Sequence, residues 1–84
     1  MIVIASDHAG VDLKARVVAI VRQAGYDARD LGPTNTASVD YPDFAVAVAR
    51  KVASGEATVG IMVDGAGIGS CMAANKVPGV RAAM

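Results

Sequence analysis

Residues 57–76 read "ATVGIMVDGAGIGSCMAANK", and how this stretch folds decides the architecture of the whole chain. The opening "ATVGIMV" (57–63) is a continuous apolar run, which suits a strand of a parallel sheet buried on both faces and so predicts a central strand. Asp64 stands at its end. Gly65, Gly67 and Gly69 then alternate with Ala66 and Ile68. "SCMAANKV" (70–77) follows as a short helix. Strand, glycine loop and helix in direct succession form the joint of an α/β protein.

Reading outward gives the same grammar. "MIVIA" (1–5) is a second buried strand, and "SDHAG" is a polar break after it. From Val11 to Ala24 the apolar residues Leu13, Val17, Ile20, Val21 and Ala24 recur at three- and four-residue steps. They predict an amphipathic helix, with Lys14, Arg16 and Arg22 on or beside its wet face and Gly25 as its C-terminal cap. "YDARDLG" (26–32) reads as a charged edge strand. "PTNTASVDYPD" (33–43) is a turn-rich loop of functional length. "DFAVAVARKVASGE" (43–56) is a helix capped by Asp40 or Asp43, with Phe44, Val48 and Val52 inward and Gly55 as its stop. "PGVRAAM" (78–84) is a turn and the start of a fourth strand. The order β-α-β-α-β-α-β predicts a parallel sheet with right-handed crossovers and helices on both faces.

Composition narrows the function. The chain has 84 residues, enough for a single domain spanning 1–84. Eight basic residues balance eight acidic ones, so no basic stripe exists for nucleic acid. No apolar run reaches the ~20 residues of a membrane span. One cysteine allows no internal disulfide and no zinc cluster, and a reducing cytoplasm is the expected compartment. A parallel sheet this small leaves an edge in need of cover, so an oligomer or a piece of a longer domain is expected.

In open α/β sheets, ligands bind at the carboxyl ends of the strands. Three polar loops meet there: "SDHAG", "LGPTNTASVDYPD" and "DGAGIG". Glycines let backbone amides approach an anion, and the following helix start adds partial positive charge. Gly65, Gly67 and Gly69 can therefore cradle a phosphate, a carboxylate or an enolate oxygen, or simply make a tight turn. The pattern is neither the dinucleotide fingerprint nor a Walker loop. Asp64 beside it is either a general base or a structural acid. Ser70 reads as a helix cap and Cys71 as a small buried hydrophobe. Asp7 and His8 lie at the site end of the first strand, as ligand-binding groups or as an N-cap and a solvent histidine. Tyr41 offers a hydroxyl and a flat face to a ligand, or packs against its helix. Asn75 and Lys76 close the last helix.

Taken together, "IASDHAG", "DLG", "VDYPDFA", "GEATVGIMVDGAGIG" and "AANKVPGVRAA" resemble, in order and spacing, the ribose-5-phosphate isomerase B family, which includes the galactose-6-phosphate isomerase subunits. The resemblance implies a three-layer α/β/α Rossmann-like sandwich, a homodimer or tetramer, and neither metal nor cofactor. It implies aldose–ketose isomerisation of a phosphorylated sugar in pentose-phosphate metabolism, through a cis-enediolate held by the loop Gly65, Ala66, Gly67, Ile68, Gly69 and Ser70. Asp7, His8 and Tyr41 match positions lining the sugar and phosphate, and Asn75 matches the asparagine of "AANK". In such enzymes the base is either a cysteine just before the first loop glycine, here Asp64, or a glutamate just after the last, here Ser70. The usual Thr or Ser inside the loop is Ala66. Asp64 is thus the candidate base. The alternative is a non-catalytic relative that binds a sugar phosphate or a partner protein. The family's ring-opening histidine, phosphate-binding arginines and final strand and helices lie beyond position 84, so residues 1–84 are expected to be the N-terminal part of a longer domain.

Overall fold

A computed structural model of the chain describes residues 1–33, 41–65 and 68–84, except for the side chains of Tyr41 and Pro42. Strand β1 (Ile2–Ser6) leads into a 3-10 turn (His8–Gly10), helix α1 (Val11–Gln23), strand β2 (Ala28–Gly32), helix α2 (Tyr41–Ala53), strand β3 (Val59–Val63) and helix α3 (Ile68–Asn75). The strands form one parallel sheet in the order β2-β1-β3. The expected α/β architecture with a parallel sheet is therefore observed.

Alternation along β1 divides the core. Val3 and Ala5 face α2 and pack with Val48 and Ala57, flanked by Phe44, Val52 and Met62. Ile4 faces α1 and packs with Val18 and Ala28, flanked by Val17, Val21 and Ile61. Period-two alternation puts successive residues on opposite faces, so a central strand must be apolar throughout. The inward set expected for α2, Phe44, Val48 and Val52, is the set observed. Helix α3 packs against α2.

The first crossover carries the chain from β1 to one side, and the second carries it past β1 to the other. Right-handed crossovers in opposite directions put α1 and α2 on opposite faces. The strand order therefore reverses between β1 and β3, which is where such sheets open a ligand crevice.

The ends of the helices follow local chemistry. Gly25, at φ +94°, ends α1: its N–H donates to the Arg22 carbonyl and that of Tyr26 to the Val21 carbonyl. This is a Schellman closure, and glycine adopts its left-handed angle without a Cβ penalty.

Several expectations are corrected. The central strand is β1, and β3 lies at an edge with Val59 exposed. An apolar run reports burial but not sheet position, and it is the second crossover that carries β3 past β1. Residues 80–84 form no strand. The Ala82 N–H and carbonyl bond instead to the side chain of Asn75, which takes up groups a ladder would need. Helix α3 spans Ile68–Asn75 rather than 70–77.

Lys14 is also corrected. It is 1% exposed, whereas Leu13 and Ile20 are 55% and 63% exposed. The buried face of α1 centres on Val18, and Lys14 lies one turn earlier on that same face. Its ammonium reaches the Asp30 carboxylate at 3.0 Å and donates to the Pro33 carbonyl, so it is buried as a paired charge. Asp40 lies outside the described residues, and Asp43 occupies the first turn of α2.

Candidate functional site

The carboxyl ends of β1 and β3 are tied together by Asp7. Its N–H donates to the Val63 carbonyl at 3.0 Å, continuing the contact between the two strands. Its carboxylate takes the Gly10 N–H on Oδ1 at 2.8 Å and the Gly65 N–H on Oδ2 at 3.0 Å. The first bond caps the 3-10 turn. The second reaches across the strand-order reversal to the first amide of the glycine loop. At 8% exposure, Asp7 is a buried anion balanced by backbone donors.

Close approach makes this clamp possible. A Cβ on Gly10 would lie 2.7 Å from the Val63 carbonyl oxygen and 2.8 Å from Val63 Cγ1. A side chain there would push the turn off β3. Glycine at position 10 is therefore part of the site's construction, although the sequence reading centred on the later glycines.

Asp64 follows β3 directly and is half-buried. Its Oδ2 accepts a hydrogen bond from the Ser70 hydroxyl, and Ser70 is 4% exposed. Ser70 is the third residue of α3, so this bond spans the glycine loop from the strand end to the helix start. Asp64, Ser70 and Cys71 lie on the wall of a cavity of about 370 Å³ between α2, β3 and residues 80–84, and Arg81 also lines it.

The candidate residues thus separate. Asp7, Asp64, Gly65 and Ser70 form one connected set at the carboxyl end of the sheet. His8 borders it in the 3-10 turn, exposed to solvent. Ile68 and Gly69 belong to the first turn of α3. Ala66 and Gly67 lie outside the described residues. Tyr41 is the first residue of α2, with its side chain outside the described set. Asn75 lies at the other end of α3, where its amide donates to the carbonyls of Cys71 (3.0 Å) and Ala82 (3.1 Å) and accepts from the Ala82 N–H (2.9 Å). In this arrangement its side chain secures the segment after α3. Cys71 is half-buried, and its thiol points to the Ala82 carbonyl at 3.4 Å.

Sequence reasoning missed two polar residues at this end. Lys14 anchors the exit of β2 through Asp30 and Pro33. Ser6, fully buried at the end of β1, has no hydrogen-bond partner for its hydroxyl among the described residues. Lys14 had a legible signal: it stands four residues before Val18 on the inward face. Ser6 had none beyond its place at a strand end.

The chain belongs to the ribose/galactose isomerase family, whose model matches residues 2–84. It is 43% identical to the probable ribose-5-phosphate isomerase B of Mycoplasma pneumoniae, over 99% of this chain and 55% of the relative. Among solved structures, ribose-5-phosphate isomerase B of Clostridium thermocellum superposes with a TM-score of 0.95 at 49% identity, covering 98% of this chain and 55% of that one. The Mycoplasma genitalium enzyme, solved with bound ribulose-5-phosphate, superposes with a TM-score of 0.87 at 47% identity, covering 94% and 53%. The chain therefore spans about half the length of the relatives it matches. Among the described residues no helix is long and apolar enough to cross a membrane.

Proposed function

We propose that this member of the family works in the aldose–ketose isomerisation of a phosphorylated sugar, most simply ribose 5-phosphate to ribulose 5-phosphate, with Asp64 as the base. The observation that carries the reading is the position of Asp64 at the end of β3. It adjoins the Gly65 amide, which Asp7 holds at the strand-order reversal.

The chemistry balances as follows. The Asp64 carboxylate takes the proton from C2 of the open-chain aldose. The C–H electron pair forms the C1–C2 double bond, and the carbonyl electrons move onto O1. Amides of the loop beyond Gly65, up to Ser70, supply hydrogen bonds to the developing oxyanion in this reading. The protonated Asp64 returns its proton to C1 as the O2 hydroxyl passes its own to the O1 oxyanion, leaving the ketose with a hydroxyl on C1 and its carbonyl at C2. His8 and Tyr41 line the sugar and phosphate in this reading. Asp7 acts through the loop, since both of its oxygens already take backbone amides.

A homo-oligomer in the cytoplasm belongs to the same proposal. Exposed Val59, Ile68 and Met72 give it apolar surface to cover. A second reading, binding without isomerisation, is favoured by one feature: positions 64 and 70 carry Asp and Ser, whereas the resemblance expects a Cys or a Glu base there.

Assay of ribose 5-phosphate conversion, with exchange of the C2 proton followed in deuterated water, tests both. Asp64→Asn should lower kcat by about 10²–10⁴-fold, the usual contribution of a positioned base. Unchanged activity in that variant removes Asp64 from the role. Sugar-phosphate binding without exchange in the native assembly selects the second reading.

A further inference from the structure

We infer that Ser70 is a positioning residue for Asp64, and that the two side chains act as one unit across the glycine loop. The inference rests on the reading of Asp64 as the base.

A serine hydroxyl has a single proton to donate, and that of Ser70 goes to Asp64 Oδ2. At 4% exposure Ser70 exchanges little with water, so the bond meets little solvent competition. Ser70 is also fixed by its backbone, since it lies in the first turn of α3. An aspartate at a strand end has two side-chain torsions to settle, and a bond to a helix-borne hydroxyl restrains both. The arrangement joins the two positions where the resemblance would place alternative bases. One now holds a carboxylate and the other its hydrogen-bond donor.

The bond also has an electrostatic consequence. A donor to a carboxylate favours the charged form, the form a base needs before it takes a proton. Other described residues that share its cavity also carry ionisable groups. Residues 80–84 bring Arg81 to the cavity wall, and α3 brings the Cys71 thiol. From the β1 end comes Asp7, already occupied by the Gly10 and Gly65 amides. The residues that α2 and β3 contribute to the lining carry no ionisable side chain.

The test uses the full chain with Ser70→Ala and Ser70→Thr. Carboxyl-carbon NMR of Asp64 needs no catalysis. Loss of the hydroxyl should move the Asp64 titration midpoint to higher pH by about one unit, the scale of a hydrogen bond to a charged group. Threonine, which keeps the hydroxyl, should restore it. In the active enzyme the acid limb of kcat/KM should follow in the same direction, with kcat lowered about tenfold and KM little changed for Ser70→Ala. Unchanged amide resonances of β1 and β2 show that the variants fold. An Asp64 titration that Ser70→Ala leaves in place overturns the inference. A shifted titration in a protein without isomerase activity upholds the Ser70–Asp64 unit and overturns only the isomerase reading.

Discussion

The two ends of the sheet are built by opposite means. At the carboxyl end the polar side chains go inside: Ser6, Asp7, Lys14 and Ser70 are buried there. At the amino end the turns close on backbone bonds and on exposed side chains such as Arg22, which donates to the Ala28 carbonyl at 2.9 Å. Gly25 and Gly55 take left-handed angles, and the Lys51–Glu56 ion pair stands in solvent. The amino end shows that the helix-to-strand joints of this fold need no buried charge. The polar groups at the other end are a cost beyond what closing the turns requires. What they obtain is a fixed loop: Asp7 holds the Gly10 and Gly65 amides, and Lys14 holds Asp30 of β2 and the Pro33 carbonyl just past it. This contrast argues for function from energetics, independently of likeness to any relative.

The largest expected effect on stability is at Lys14. Lys14→Met keeps the apolar stem and deletes the charge, leaving the Pro33 carbonyl without its lysine donor and Asp30 without its cation, with the Gly32 N–H still bonded to the carboxylate. Breaking a buried pair costs about 3–5 kcal/mol, but the Asp30 side chain is 32% exposed and water can replace part of the loss. About 2–3 kcal/mol of destabilisation is expected, read as a lower urea midpoint at unchanged slope. A cost below about 0.5 kcal/mol, the range of ordinary surface substitutions, would remove the energetic contrast between the two ends.

A smaller effect is expected at Asp7. Asp7→Asn leaves one acceptor oxygen for two amides, so either Gly10 or Gly65 loses its side-chain partner, although the Gly10 N–H keeps its bond to the Asp7 carbonyl. The loss is worth about 1–2 kcal/mol. Amide hydrogen exchange distinguishes the two halves of the clamp. Faster exchange at Gly65 alone means that the bond across to β3 is the weaker, and the glycine loop loosens first. Equal acceleration at both amides means that the clamp acts as a single unit.

The same contrast marks what was legible beforehand. Strand-loop-helix order, the α2 core set and the glycine stops are local signals carried by periodicity and turn chemistry, and they were readable. So was the gathering of polar loops at the carboxyl end of the sheet. Sheet position was not, since "ATVGIMV" and "MIVIA" look alike and only the crossover directions separate an edge from a centre. Lys14 was misread because charge alone argues for solvent, and its partner Asp30 comes from another element, strand β2. The Asp64–Ser70 bond was invisible for a similar reason. It depends on where the α3 helix begins, which falls two residues earlier than the pattern suggested.

The smallest effect belongs to the amino end, and its pH dependence has a definite sign. The Glu56 carboxyl is held below its ordinary value of 4.5, first by the hydrogen bond from Lys51, then by that residue's charge, with a lesser pull from Arg29. A depressed carboxyl contributes stability above its unfolded value and loses it as pH falls through the lower folded value. The pair's contribution is therefore complete at neutral pH and disappears only in the acid range below about 4.5. Because both side chains are largely in water, that contribution is small and screened by salt. Glu56→Gln should leave the urea midpoint at pH 7 within error of the native value in high salt, and slightly below it in low salt. The two proteins should become indistinguishable at the acid end. A salt-resistant loss at Glu56 comparable to that at Lys14 would mean that the solvent-exposed pair carries structural weight after all, and the division between the two ends of the sheet would not hold.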